Sequence, residues 1–144
     1  MPSLIKTIRE AIVNEQPWTP AKQTAPLILA YIGDTIYDLY VRTYLLNKRD
    51  FTPHGIHLAS TKLVCASTQA TACRNILPLF TEEEQDVFRR GRNAHMGTVP
   101  KHASIMDYRM ATGLEAVLGY LYLEQQDERL TELMQLILKE RIDA

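Results

Sequence analysis

Residues 27–46 read LILAYIGDTIYDLYVRTYLL. The stretch is mostly apolar and aromatic, and Pro26 before it suits the first turn of a helix, where its missing N–H costs nothing. Asp34 stands in its middle, directly after Gly33. Tyr37, Tyr40 and Tyr44 recur at helical spacing, which predicts a stripe turned to the core or to a subunit interface. A glycine inside a helix is unfavourable, and close approach by another backbone is one reason to keep it. A second stretch, residues 108–124, answers the first: YRMATGLEAVLGYLYLE, apolar with a lone Glu115. Two core-like helices, each with an embedded carboxylate, point to acids brought to one place.

The flanking chain reads as more helix. Residues 3–13 place Leu4, Ile5, Ile8 and Ile12 on one face. Residues 14–24 form a connector with Pro17 and Pro20, in which Trp18 plugs the core. The pattern breaks at 47–53, and 54–77 then reads as one largely helical run stopped by Pro78. Thr81 and Glu84 make a capping box that opens a helix reaching about Arg92. Residues 93–103 are a loop with Gly97 and Pro100, and a long helix covers 104–124. Asp127 caps a last helix whose buried face is Leu130, Leu133, Met134, Ile137 and Leu138. With no strand pattern and no internal repeat, the fold class is all-α.

A chain of 144 residues is sized for one domain, here 1–144. Its 46% hydrophobic and 23% charged residues are an ordinary globular balance. A formal net charge of −1 does not advertise a polyanion partner, so a nucleic-acid surface has to come from local clustering. The absence of a membrane-length apolar run and of a signal-peptide core predicts a soluble, cytoplasmic protein with no membrane partner. Cys65 and Cys73, on one helix, would stand about 12 Å apart, too far for a disulfide. Both are expected as thiols, with Cys65 in the core.

Two features carry chemistry. Asp34 and Glu115 are costly to bury unless paired, hydrogen-bonded or bound to metal. Asp38 lies one turn from Asp34, and Arg42 or Arg109 are available as ion-pair partners for Glu115, so a structural and a functional reading stand side by side. Oxygen ligands without nearby His or Cys favour a hard ion such as Mg2+. His54 and His57 have a zinc-compatible spacing but no second pair, which leaves them as surface or capping residues. The second feature is RRGRNAHMGTVPK, residues 89–101. Between Arg89 and Arg109 there are five cations and one acid, a local charge of +4. Arg89, Arg90, Arg92, Asn93, Lys101 and Arg109 are therefore the candidate phosphate contacts, against the alternative of a solvated helix end.

At these residues the chain resembles a known family. LAYIGDTIYDLYVR is similar to the signature helix of ribonuclease III, and ATGLEAVLGYLYLE to its second acidic helix. With FTEEE and RRGRNAHMGTVPK in order, the resemblance is closest to Mini-ribonuclease III, a ribonuclease III-like catalytic domain without a double-stranded-RNA-binding domain. It covers nearly the whole chain, least clearly before Thr24. The resemblance implies a homodimeric helical bundle and a Mg2+-dependent endonuclease for double-stranded RNA, leaving 5′-phosphate and 3′-hydroxyl ends. Its implied task is maturation of both ends of the 23S ribosomal RNA precursor at a paired stem, with a ribosomal protein on the precursor as a further partner. Asp34 and Glu115 match the catalytic, metal-binding acids, and Tyr31 matches the residue that inserts into the partner subunit. Ala30, Thr112 and Leu27 stand where the larger family has further carboxylates, which bears on how many ions are held. The rival is a non-catalytic helical RNA-binding dimer acting structurally in ribosome assembly; loss of either acid would have favoured it.

Overall fold

The computed structural model describes residues 3–12, 20–48, 52–94 and 104–142. Among them every regular element is helical: α1 (Leu4–Ile12), α2 (Pro26–Leu46), α3 (Pro53–Val64), α4 (Ala66–Ile76), α5 (Glu82–Asn93), α6 (Ile105–Leu123) and α7 (Asp127–Ile142). Single 3-10 turns occur at Ala21–Gln23 and Leu77–Leu79. The expected all-α class holds, while Trp18 and most of the loop after α5, Lys101 included, lie outside the described residues.

α6 is the axis. From Met110 to Tyr122 every residue but Glu115 is buried. A helix apolar all round belongs in the middle of a fold, and α2, α5 and α4 cover it. Glycines set how close they come. A Cβ on Gly33 of α2 would land on the Glu115 carbonyl oxygen, and one on Gly119 of α6 on the Leu29 carbonyl oxygen. Each helix thus presents its glycine to the other's backbone, and that contact places Asp34, the residue after Gly33, beside Glu115.

The other cores form as their patterns direct. Leu133 and Met134 are fully buried, and Leu130, Ile137 and Leu138 nearly so. Asp127 is the first residue of α7 rather than its cap, and its charge suits the positive helix end. On the apolar face of α1, Ile5 is buried, Ile8 is half-buried, and Leu4 and Ile12 are exposed. Tyr37 is buried and donates to the Leu63 carbonyl at 2.8 Å, while Tyr40 meets Thr131 at 2.8 Å. The tyrosine stripe is therefore largely internal. The capping box is complete: Glu84 N–H donates to Thr81 Oγ1 at 3.2 Å and Thr81 N–H to Glu84 Oε1 at 3.0 Å. Glu84 is buried, and Arg129 of α7 grips it through two nitrogens at 2.8 and 2.9 Å. Arg129 also donates to the Leu79 carbonyl at 2.7 Å.

Two further expectations are corrected. The helical run from 54 to 77 is two helices, broken at Cys65, whose ψ of 155° is extended. Thr68 Oγ1 takes the Lys62 carbonyl at 2.7 Å and so competes with helical continuation there. Cys65 is accordingly not in the core: it is exposed at the break, and Cys73 is the buried thiol.

Candidate active site

The break between α3 and α4 matters because it faces the acids. A cavity of about 670 Å³ is walled by Asp34 from α2, Val64 to Ser67 and Gln69 from the break and α4, and Ser104, Asp107, Tyr108, Ala111, Thr112 and Glu115 from α6. The two predicted acids do meet: their side chains hydrogen-bond each other. A hydrogen bond between two carboxyls needs a proton on one of them. Burial, then the hydrogen bond and charge of Asp34, push Glu115 up to about 9, and a hydrogen bond from Gln69 pulls the other way. Asp34 is on the exposed side of the pair and Glu115 is half-buried.

The pair fits a hard divalent ion. Two carboxyls that must share a proton when alone can both ionise around a cation. The donors that converge are carboxyl oxygens with no imidazole, and Cys65, though on the cavity wall, does not converge with them, which suits Mg2+ better than zinc. Among the described residues no group of three or more His, Cys, Asp and Glu side chains converges on one point. Mg2+ accepts such a sparse site, completing its shell with water and substrate phosphate.

The remaining predicted residues are placed as follows. Asp38 does not join the acids; Arg42 holds it at 2.9 Å one turn on, which also engages Arg42 away from Glu115. Arg109 is exposed on α6 and outside the cavity wall. On α5, Arg89 pairs with Asp86 at 2.6 Å and Arg90 donates to the Lys22 carbonyl at 3.2 Å. Arg92 lies over the Phe88 ring and donates to Asn93 Oδ1 at 3.2 Å. Arg89 and Arg90 wall a separate cavity of about 490 Å³ with Lys22, Glu83 and Tyr120. His54 and His57 are exposed near the start of α3. Tyr31 stands 78% exposed on α2, with Ile28 at 58% one turn before it.

Sequence reasoning missed two contributors to the wall. Asp107 faces the cavity and is tied to Arg74 of α4 at 2.9 Å, so an ion pair braces the α4–α6 side. Gln69 is 3% exposed and shares a stripe with Cys73 and Ile76, both almost completely buried. A lone polar residue in a buried stripe is the same signal that marked Asp34 and Glu115. It was masked because 54–77 read as one helix with no cavity to face.

Two facing acids on helices packed through glycines define a class, and residues 27–126 match the ribonuclease III domain, a domain of endoribonucleases. The chain is 48% identical over 118 residues to the Mini-ribonuclease 3 of Clostridium tetani, covering 81% of this chain and 78% of that one. It is 43% identical over 120 residues to the Mini-ribonuclease 3 of Enterococcus faecalis, covering 82% and 91%. Its fold is similar to the crystal structure of protein FN1578 from Fusobacterium nucleatum, with a TM-score of 0.79, 26% identity, and coverage of 86% of this chain and 99% of that one. The chain belongs to the Mini-ribonuclease 3 family.

Proposed function

We propose that this endoribonuclease cuts double-stranded RNA with Mg2+ held by Asp34 and Glu115, and that its substrate is the paired stem that joins the ends of the 23S ribosomal RNA precursor. The observation that carries the reading is the hydrogen-bonded Asp34–Glu115 pair on the wall of an open cavity. When bound there, Mg2+ supplies the Lewis acidity that activates water and stabilises the leaving 3′ oxygen, giving 5′-phosphate and 3′-hydroxyl products. The chain's own part is to hold two carboxylates close together against their repulsion and to keep one side of the site walled by α4 and α6.

A-form RNA offers phosphates and 2′-hydroxyls across a shallow groove, so shape and charge suffice for recognition. Arg89, Arg90, Arg92, Asn93, Lys101 and Arg109 are the side chains we assign to the phosphates. The exposed Tyr31 and Ile28 on α2 support a homodimer, in which two sites related by a twofold axis each cut one strand. A ribosomal protein that shapes the precursor stem is a compatible partner. No helix of the described residues is long and apolar enough to cross a membrane, and the reading places the enzyme in the cytoplasm with its ribosomal substrate. Residues 1–144 act as one catalytic domain in this reading.

The test is cleavage of a long double-stranded RNA and of a 23S precursor stem with Mg2+. Wild type should cut, EDTA should stop it, and Asp34→Asn and Glu115→Gln should each lose at least about a hundredfold in rate while staying folded. Binding of either RNA by wild type with no cutting, even with ribosomal proteins added, would replace the nuclease reading with a structural role.

A further inference from the structure

Gln69 is an expensive residue in its setting. It is 3% exposed, in a stripe whose other members, Cys73 and Ile76, are apolar. Its Oε1 is buried and has no hydrogen-bond partner. Buried acceptors are nearly always satisfied, and an apolar side chain of the same length would leave no orphan oxygen. Packing therefore does not explain an amide here. Its nitrogen does. Nε2 donates to the Val64 carbonyl at 3.0 Å, a backbone atom at the end of α3, and the same amide shares the cavity wall with Asp34 and Glu115 and favours the charged form of Glu115. One N–H is fixed to rigid backbone, which leaves the other for the carboxyl group.

We propose that Gln69 is a positioning residue of the cation site, its amide nitrogen braced by the Val64 carbonyl and holding the Glu115 carboxyl in the orientation in which it shares a cation with Asp34. The inference rests on the proposed role of Asp34 and Glu115. Its physical basis is that a hydrogen bond from behind fixes the rotamer of a ligating carboxylate, and such partners are commonly worth about 10–100-fold in metal affinity. The break at Cys65 gains a purpose from this: it frees the Val64 carbonyl from helical bonding and turns α4 so that Gln69 reaches α6.

The experiment is a titration of the full chain with Mn2+, followed by electron paramagnetic resonance, on wild type, Asp34→Asn, Gln69→Met, Gln69→Leu and Thr71→Val. Thr71→Val also removes a side-chain bond of α4, Thr71 Oγ1 to the Ser67 carbonyl, without touching the break at Cys65 or Glu115. Circular dichroism selects the variants that fold; Met and Leu at position 69 offer two shapes for the same apolar stripe. Loss of the amide should weaken Mn2+ binding about 10–100-fold, and Thr71→Val should leave it unchanged. Cleavage by the position-69 variants should recover at excess Mn2+, with KM for RNA as in wild type. Wild-type Mn2+ affinity in a folded position-69 variant overturns the role of Gln69, as does equal weakening by Thr71→Val. If wild type binds no Mn2+, or Asp34→Asn binds it equally well, the cation site itself is refuted.

Discussion

Glu115 is held in a state its chemistry resists. Its ordinary carboxyl value is 4.5, and in the fold burial and Asp34 carry it up to about 9. Between those two values the folded chain keeps a proton that the unfolded chain has released. Stability therefore falls as pH rises across that window, because the unfolded state there binds fewer protons than the folded one. Glu115→Gln removes this titration. In EDTA, the gain in melting temperature of Glu115→Gln over wild type should be smallest near pH 4.5 and should grow steadily toward about pH 9. A gain that is flat with pH would show that the pair is not protonated as argued. Asp38 marks the contrast at the same scale: one turn away on the same helix, it has found Arg42 and taken no part in the site.

At the scale of elements, the site is the by-product of how α2 and α6 touch. Gly33 and Gly119 let the two backbones meet, and the acids follow from that register. Gly33→Ala drives a methyl group into the Glu115 carbonyl and cannot be relieved by turning a side chain. It should cost about 1–3 kcal/mol or more in chemical denaturation, and cleavage should fall further than the lost stability explains, since Glu115 itself is displaced. A variant with wild-type stability and activity would mean that the helices slide freely. The two long helices, the Thr81 cap and this glycine contact were legible in the sequence, because each rests on local pattern: periodicity, Pro26 at a first turn, Thr81 with Glu84, a glycine in an apolar run. The break at Cys65 was not. No Gly or Pro marks it, and the competing bond from Thr68 Oγ1 to the Lys62 carbonyl becomes visible only in three dimensions. With the break went the exposure of Cys65 and the wall provided by Gln69.

Assembly and grip on RNA belong to the whole molecule. Tyr31 at 78% exposure and Ile28 at 58% form an exposed apolar face of α2. In the proposed homodimer, Tyr31→Glu should shift the protein from dimer to monomer in sedimentation while its circular dichroism stays the same; a monomeric wild type would overturn the dimer, and a dimer unaffected by Tyr31→Glu would move the interface elsewhere. RNA binding should depend on salt through the basic stretch. Replacing Arg89, Arg90, Arg92 and Lys101 by alanine should lower the magnitude of the slope of log K against log salt by about 0.7–0.9 for each phosphate that is no longer neutralised, read by filter binding. An unchanged slope would free these residues of that role. Arg89, Arg90 and Arg92 already have partners within the chain, so RNA bound as proposed would have to compete with Asp86, the Lys22 carbonyl and Asn93 for them.

By itself, the sequence determined the all-helical class, the two long apolar helices and the acids embedded in them, because a carboxylate or a glycine in an apolar helix is conspicuous along one dimension; that α6 is buried all round while α2 keeps an exposed face with Tyr31 on it was decided by packing. The tertiary structure alone decided that Asp34 and Glu115 share a hydrogen bond, that Asp38 turns to Arg42, and that Gln69 stands behind Glu115. Those outcomes depend on distances between helices remote in sequence, and packing around α6 sets such distances through side chains that no local pattern brings together.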